Sequence, residues 1–181
     1  MPFTCVSFPK NSAAEKNAFM KNAFLIIGIL LLVFSCKKGD EPAKETWQPL
    51  DLLSNGLPIS VLAPDSARVN VTSVGAVKDV TIIGPASTPY YVQIYVQPAL
   101  TLDMAELKSN QINEVKTNPD FSRIVEEDEN SFLYELGVDD SKHYSFRYVH
   151  LQADQEYVFT TGFTEKFTLE EAKRLYAAVK Q

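Results

Sequence analysis

This chain of 181 residues has little with which to do soft or readily titrating chemistry: two cysteines and two histidines. The histidines, His143 and His150, stand seven apart on one predicted strand, so they face opposite sides and cannot share a metal ion. There is no HExxH pair, no grouped cysteine set, no G-x-S-x-G elbow and no glycine-rich phosphate loop. Positive charge is also short: 17 Lys and Arg stand against 23 Asp and Glu, with no basic stripe. A nucleic-acid partner is therefore not expected. Nor is there an apolar run of the ~20 residues that a membrane-spanning helix needs. The longest, residues 23–34, has twelve. From these absences no metal, no cofactor and no catalytic residue is expected.

What is present begins with that apolar run. It follows Met20 and Lys21 and ends at "LLVFSC", the layout of a secretory signal with a short basic start and a small residue before the cut. A start at Met20 supplies the basic flank, whereas residues 1–19 place Glu15 and a long polar leader ahead of it and read as an extension of the gene. The stretch "LLVFSC", with Val33 three positions before Cys36 and Ser35 immediately before it, resembles the lipobox of bacterial lipoproteins; Phe34 departs from the small residue usual there. The resemblance implies cleavage between Ser35 and Cys36, diacylglycerol on the Cys36 thiol and often a third acyl chain on the new N-terminus. Two or more chains hold a protein firmly at a bilayer, where one binds only marginally. Residues 20–35 then form the signal peptide, and the mature chain keeps no free thiol.

Residues 36–46, rich in Lys, Gly, Asp, Glu and Pro, read as a tether that cannot bury enough apolar surface to order itself. Lys37, Lys38, Asp40 and Glu41 resemble the charged export signals that take lipoproteins to the surface in some Gram-negative lineages. Without Lys10, Lys16, Lys21 and Glu15, the mature chain carries 14 basic and 22 acidic residues, a net of −8. Anionic lipid would repel such a domain, so the lipid on Cys36 is its membrane contact. The outer membrane is the expected location, on its periplasmic or surface face.

Residues 47–181 read as one α+β domain. Period-two alternation marks "LPISVLAP", "RVNVTSV", "DVTIIGP" and "YYVQIYVQP" as strands. Period 3.6 marks a helix at "TLDMAELKSNQINEVKTNP", with Met104, Leu107, Ile112 and Val115 on one face and Thr101 or Asp103 as cap. Strands return at "FSRIVEE", "SFLYELGV", "HYSFRYVHLQ" and "EYVFTTGF". A second helix closes the chain at "TLEEAKRLYAAVK", with Thr168 and Glu171 as a capping box. The expectation is a mostly antiparallel sheet of about six to eight strands with two amphipathic helices covering its apolar surface. This order is similar to the PsbP-like α/β/α sandwich domains, which include small bacterial lipoproteins, and the resemblance implies a non-enzymatic accessory or binding role. A cystatin- or NTF2-like curved sheet with packed helices is the alternative.

Two features stand out as candidate surfaces. With a turn near Ala153 and Asp154, Tyr144, Phe146, Tyr148 and His150 share a face with Tyr157, Phe159 and Phe163; such a row is core seam or binding platform, and core is preferred. Tyr91 and Tyr95, opposite the aliphatic side of their strand, are the better candidates for exposure. Tyr91, Tyr95, Tyr144, Tyr148 and Tyr157 together form the candidate binding surface. The acidic run of residues 126–129 reads as a solvated turn in preference to a calcium loop, because it lacks interleaved glycine and spaced ligands. Asp139 and Asp140 read the same way. A lipid-anchored binding or assembly protein, with a protein or small ligand as partner, is the function expected. The alternative is an envelope hydrolase using His143 or His150 with carboxylates.

Overall fold

The computed structural model describes residues 46–180; the signal, Cys36 and nearly all of the tether lie outside the described residues. In chain order the elements are β1 (Gln48–Asp51), β2 (Ser60–Ala63), β3 (Arg68–Val74), β4 (Val77–Ile83), β5 (Tyr91–Pro98), α1 (Met104–Lys116), β6 (Phe121–Glu127), β7 (Ser131–Leu136), β8 (His143–Gln152), β9 (Gln155–Thr161) and α2 (Leu169–Val179). Strands β1 and β2 pair alone; the other seven form one antiparallel sheet in the order β3-β4-β5-β9-β8-β7-β6. The α+β class, the antiparallel sheet and the two helices are as expected. Strand β1 was not foreseen: "QPLD" is four residues with a proline, too short to show alternation and confined to a two-stranded edge where Pro49 is tolerated.

The topology explains the helix in mid-chain. Strand β5 ends beside a position that β9 fills only later, so the chain must cross to the far edge before a hairpin series, β6 to β9, brings it back. Helix α1 is that crossing. Asp103 caps it, its carboxylate accepting from Ala105 N at 2.9 Å and Glu106 N at 3.3 Å. Leu107, Gln111 and Val115, spaced by four, are its buried stripe. Helix α2 starts on the expected capping box, with Thr168 Oγ1 accepting from Glu171 N and Glu171 Oε2 accepting from Thr168 N. Each such cap contributes about 1 kcal/mol.

Strand alternation divides the core by face. On one side Val80, Ile82, Val92, Ile94, Leu133, Phe146, Tyr157 and Phe159 pack with Ala172, Leu175, Tyr176 and Val179 of α2 and with Val61 and Ala63 of β2. Full burial of an aliphatic or aromatic side chain stabilises by ~1.5–3 kcal/mol, so this layer dominates stability. On the other side α1 places Val115 against Phe132 and Tyr134, flanked by Ile112, Phe121, Ile124 and Leu136. The helices thus lie on opposite faces, and the second apolar cluster is small. Beyond it, the α1 face of the sheet buries polar side chains: Gln93, Ser145, Arg147, Glu156 and Thr160.

The acidic run between β6 and β7 is not simply solvated. Lys108 of α1 meets Glu127 at 3.0 Å and donates to the Asp128 carbonyl at 2.8 Å. From the opposite face, Lys173 pairs with Glu126, Lys180 reaches Asp128 Oδ2 at 2.6 Å, and Tyr176 OH donates to the same oxygen at 2.8 Å. The turn therefore links both helices across the sheet edge. Among the described residues no group of three or more His, Cys, Asp or Glu is arranged to hold a metal ion.

Candidate functional site

Three of these buried polar residues, Ser145, Arg147 and Thr160, line a groove between the C-terminal half of α1 and strands β8 and β9. Two neighbouring hollows form it, one of about 470 Å³ toward β7 and one of about 270 Å³ toward β5; both are lined by Glu114, Arg147 and Phe163. The floor is set by register. Arg147 lies opposite Phe132 on β7 and Thr160 on β9, and Tyr95 of β5 lies opposite Val158. All point away from the α2 core because they sit at the opposite phase of the alternation to Phe146 and Phe159.

Arg147 is the centre of the groove. Its side chain is 5 % exposed, and its one ion-pair partner among the described residues is Glu114, whose carboxylate, 62 % exposed, sits 3.4 Å from Nη2. Nε and Nη1 are buried and make no hydrogen bond among the described residues. A buried charge is stable when it is paired and its donors are satisfied, and neither condition is met fully here. The neighbouring polar groups, by contrast, are occupied. Glu156, 2 % exposed, accepts from Gln97 Nε2 at 3.1 Å and Gln111 Nε2 at 3.3 Å. Ser145 and Thr161 share a hydroxyl hydrogen bond of 2.7 Å, and Gln93 donates to Asp79 at 2.8 Å.

The rim combines acid and aromatic groups. Glu114, Asp120 and Glu165 supply carboxylates, and Phe163, 73 % exposed, leans over Tyr95 with ring centroids 6.4 Å apart. Burial, with the Asp79 carboxylate adding to it, pushes the Tyr95 hydroxyl up to about 12. It stays protonated, and so remains both donor and acceptor, at any physiological pH. Gly162 closes the end of β9: a Cβ there would stand 2.1 Å from the Tyr91 ring, so only glycine lets that ring lie against the backbone.

The five tyrosines proposed as one surface do not form one. Tyr144 and Tyr148 are half-buried against the α2 core, and Tyr157, 5 % exposed, is a member of that core. Tyr157 is therefore corrected from surface to interior, since register places it between His150 and Val96 under α2. Tyr91 and Tyr95 sit at the opposite phase of strand β5; Tyr91 packs against the edge of the same core, and Tyr95 lines the groove. Phe163 leaves the row expected for it because β9 ends at Thr161 and the chain turns toward Tyr95.

The two histidines fall on opposite faces, as their spacing requires. His143 lines the groove, where its Nδ1 lies 3.0 Å from the Ser141 carbonyl. His150 packs between Tyr148 and Tyr157. Arg147 carries a sequence signal of its own: a lone cation in the middle of a ten-residue strand, in phase with Ser145 and His143 and out of phase with the aromatics.

No family model, no curated protein and no solved structure matches this chain.

Proposed function

We propose that this protein is a lipid-anchored component of the bacterial cell envelope, held at the outer membrane through Cys36, whose domain binds a ligand without transforming it. The observation that carries the binding role is Arg147, a buried guanidinium with two unsatisfied nitrogens in a groove large enough for a small molecule. Buried donors of this kind cost stability and are retained where an incoming acceptor completes them. Helices on opposite faces of an antiparallel sheet support the likeness to PsbP-like α/β/α domains, and with it an accessory role. Catalysis finds little support. The hydrogen bond that His143 makes is to a backbone carbonyl, His150 sits among aromatic rings, and among the described residues neither forms an ion pair with a carboxylate.

Two experiments test this reading. Radiolabelled palmitate should enter the wild-type protein in cells and not Cys36→Ala; label retained in the variant would reject lipidation there. Titration of the full chain with panels of small polar molecules, followed by NMR, should shift the resonances of Ser145, Arg147 and Thr160. A groove that no panel perturbs would remove the binding role.

A further inference from the structure

Which ligand fits follows from the charge and hydrogen-bond inventory of the groove, given the binding role proposed above. Three carboxylates, on Glu114, Asp120 and Glu165, face the same space as one guanidinium. A purely anionic ligand would be drawn to Arg147 but repelled by three like charges, one of them already 3.4 Å from the cation it needs. A simple ammonium ligand would meet the reverse problem at the floor, where Arg147 has no donor-free side to offer it.

The geometry of the fork narrows this further. In a planar guanidinium Nε and Nη1 lie on different edges, separated by Nη2, which is the nitrogen that Glu114 takes. A single flat carboxylate cannot satisfy both free nitrogens at once. Two acceptors set apart on one ligand can. The carboxylates on the wall accept and never donate when ionised, so the same ligand must also present donors to them. A hydroxyl group does both, accepting from Arg147 and donating to an acid. Thr160 and the protonated Tyr95 add partners of either sense along the two hollows. At the mouth the exposed Phe163 ring offers a flat apolar surface against which a ring of C–H groups can lie.

We infer that the groove takes a neutral, hydroxyl-rich ring compound, a mono- or disaccharide unit, with hydroxyls on Arg147 and the wall carboxylates and its C–H face on Phe163. The combined hollows are of a size for one to two such rings.

The experiment is a titration of the full chain, in a detergent that carries no sugar. The probes are glucose, galactose, N-acetylglucosamine and their disaccharides, set against succinate, glutamate, a dipeptide and spermidine. Binding is read by calorimetry and by the NMR shifts of groove residues. At least one saccharide should bind with groove shifts, and Arg147→Met should weaken it about tenfold or more, the loss expected for a hydrogen bond from a charged donor. Phe163→Ala, at a position 73 % exposed, should weaken the same saccharide and keeps the test decisive if Arg147→Met misfolds. Groove shifts with succinate, glutamate, the dipeptide or spermidine but with no saccharide would overturn the ligand class and leave the binding role standing. Saccharide binding that neither substitution weakens would overturn the assignment to this groove, and no groove shift with any probe would overturn both.

Discussion

Arg147 and Glu114 face each other across the groove at 3.4 Å, a buried cation held by a carboxylate that is itself mostly in water. Such a pair returns little of the desolvation cost of the guanidinium, because the exposed partner is screened. Replacing Arg147 by methionine, of similar length and no charge, should therefore leave stability unchanged or raise it by about 1–2 kcal/mol. Urea unfolding of the two proteins, at matched m-values, measures the difference. A loss of several kcal/mol would mean that Arg147 serves the fold and not a ligand.

The turn that joins the two helices carries a pH signature. Hydrogen bonds from Lys180 and Tyr176, and the Lys180 charge, hold the Asp128 carboxyl below its ordinary value of 3.8. Its contribution is complete above that value and is lost as pH falls through the lowered one, so acid weakening of this contact belongs below about pH 4. Lys180 is held up by the same pair, and its contribution is lost only as pH rises past the ordinary lysine range. Asp128→Asn should flatten both limbs of the unfolding midpoint against pH. Limbs of wild-type steepness in the variant would show that the latch adds nothing.

Trp47 is the only tryptophan in the chain, which makes its emission a local reporter. It stands edge-on to Tyr90, with centroids 4.9 Å apart, and the Arg174 guanidinium of α2 lies 3.9 Å over its ring. These contacts fasten the start of β1 to α2. Trp47→Ala should cost about 2 kcal/mol, less than a fully buried tryptophan because the ring is only half-buried. With Trp47 retained, Arg174→Ala should move the emission toward the red before global unfolding begins. An unshifted spectrum would place the indole elsewhere.

Gly162 admits no side chain while Tyr91 keeps its place. Gly162→Ala should displace that ring, destabilise by ~1–3 kcal/mol and alter the groove end nearest Glu165. Thermal unfolding, together with Tyr91 ring resonances, reads both effects. Unchanged stability with an unmoved ring would contradict the contact.

Much of the architecture was legible because it is written in local periods. The alternation of Tyr91 to Val96 and the capping box of Thr168 and Glu171 each describe an element from its own residues, and the elements formed where expected. The groove was not legible because it depends on pairings distant in the chain. Glu114, Arg147 and Phe163 meet only after β9 inserts between β5 and β8, a strand order that no local pattern announces. The same insertion decided the tyrosines: alternation separated Tyr95 from Val96, but which side α2 would cover depended on where the chain returned. The acidic run is an exposed turn, as expected, but its lysine partners were not legible, since they come from two helices on opposite faces.

The central claim is that the free nitrogens of Arg147 receive the ligand, and the most direct measurement is the Nε–H resonance of that residue in the full chain. Four arginines are present, Arg68, Arg123, Arg147 and Arg174, so the signal can be assigned by substitution. Saturation with the bound saccharide should shift the Arg147 Nε–H signal and slow its exchange with water, and leave those of Arg68 and Arg123 in place. A ligand that saturates the protein while the Arg147 signal keeps its free position and exchange rate would contradict the account.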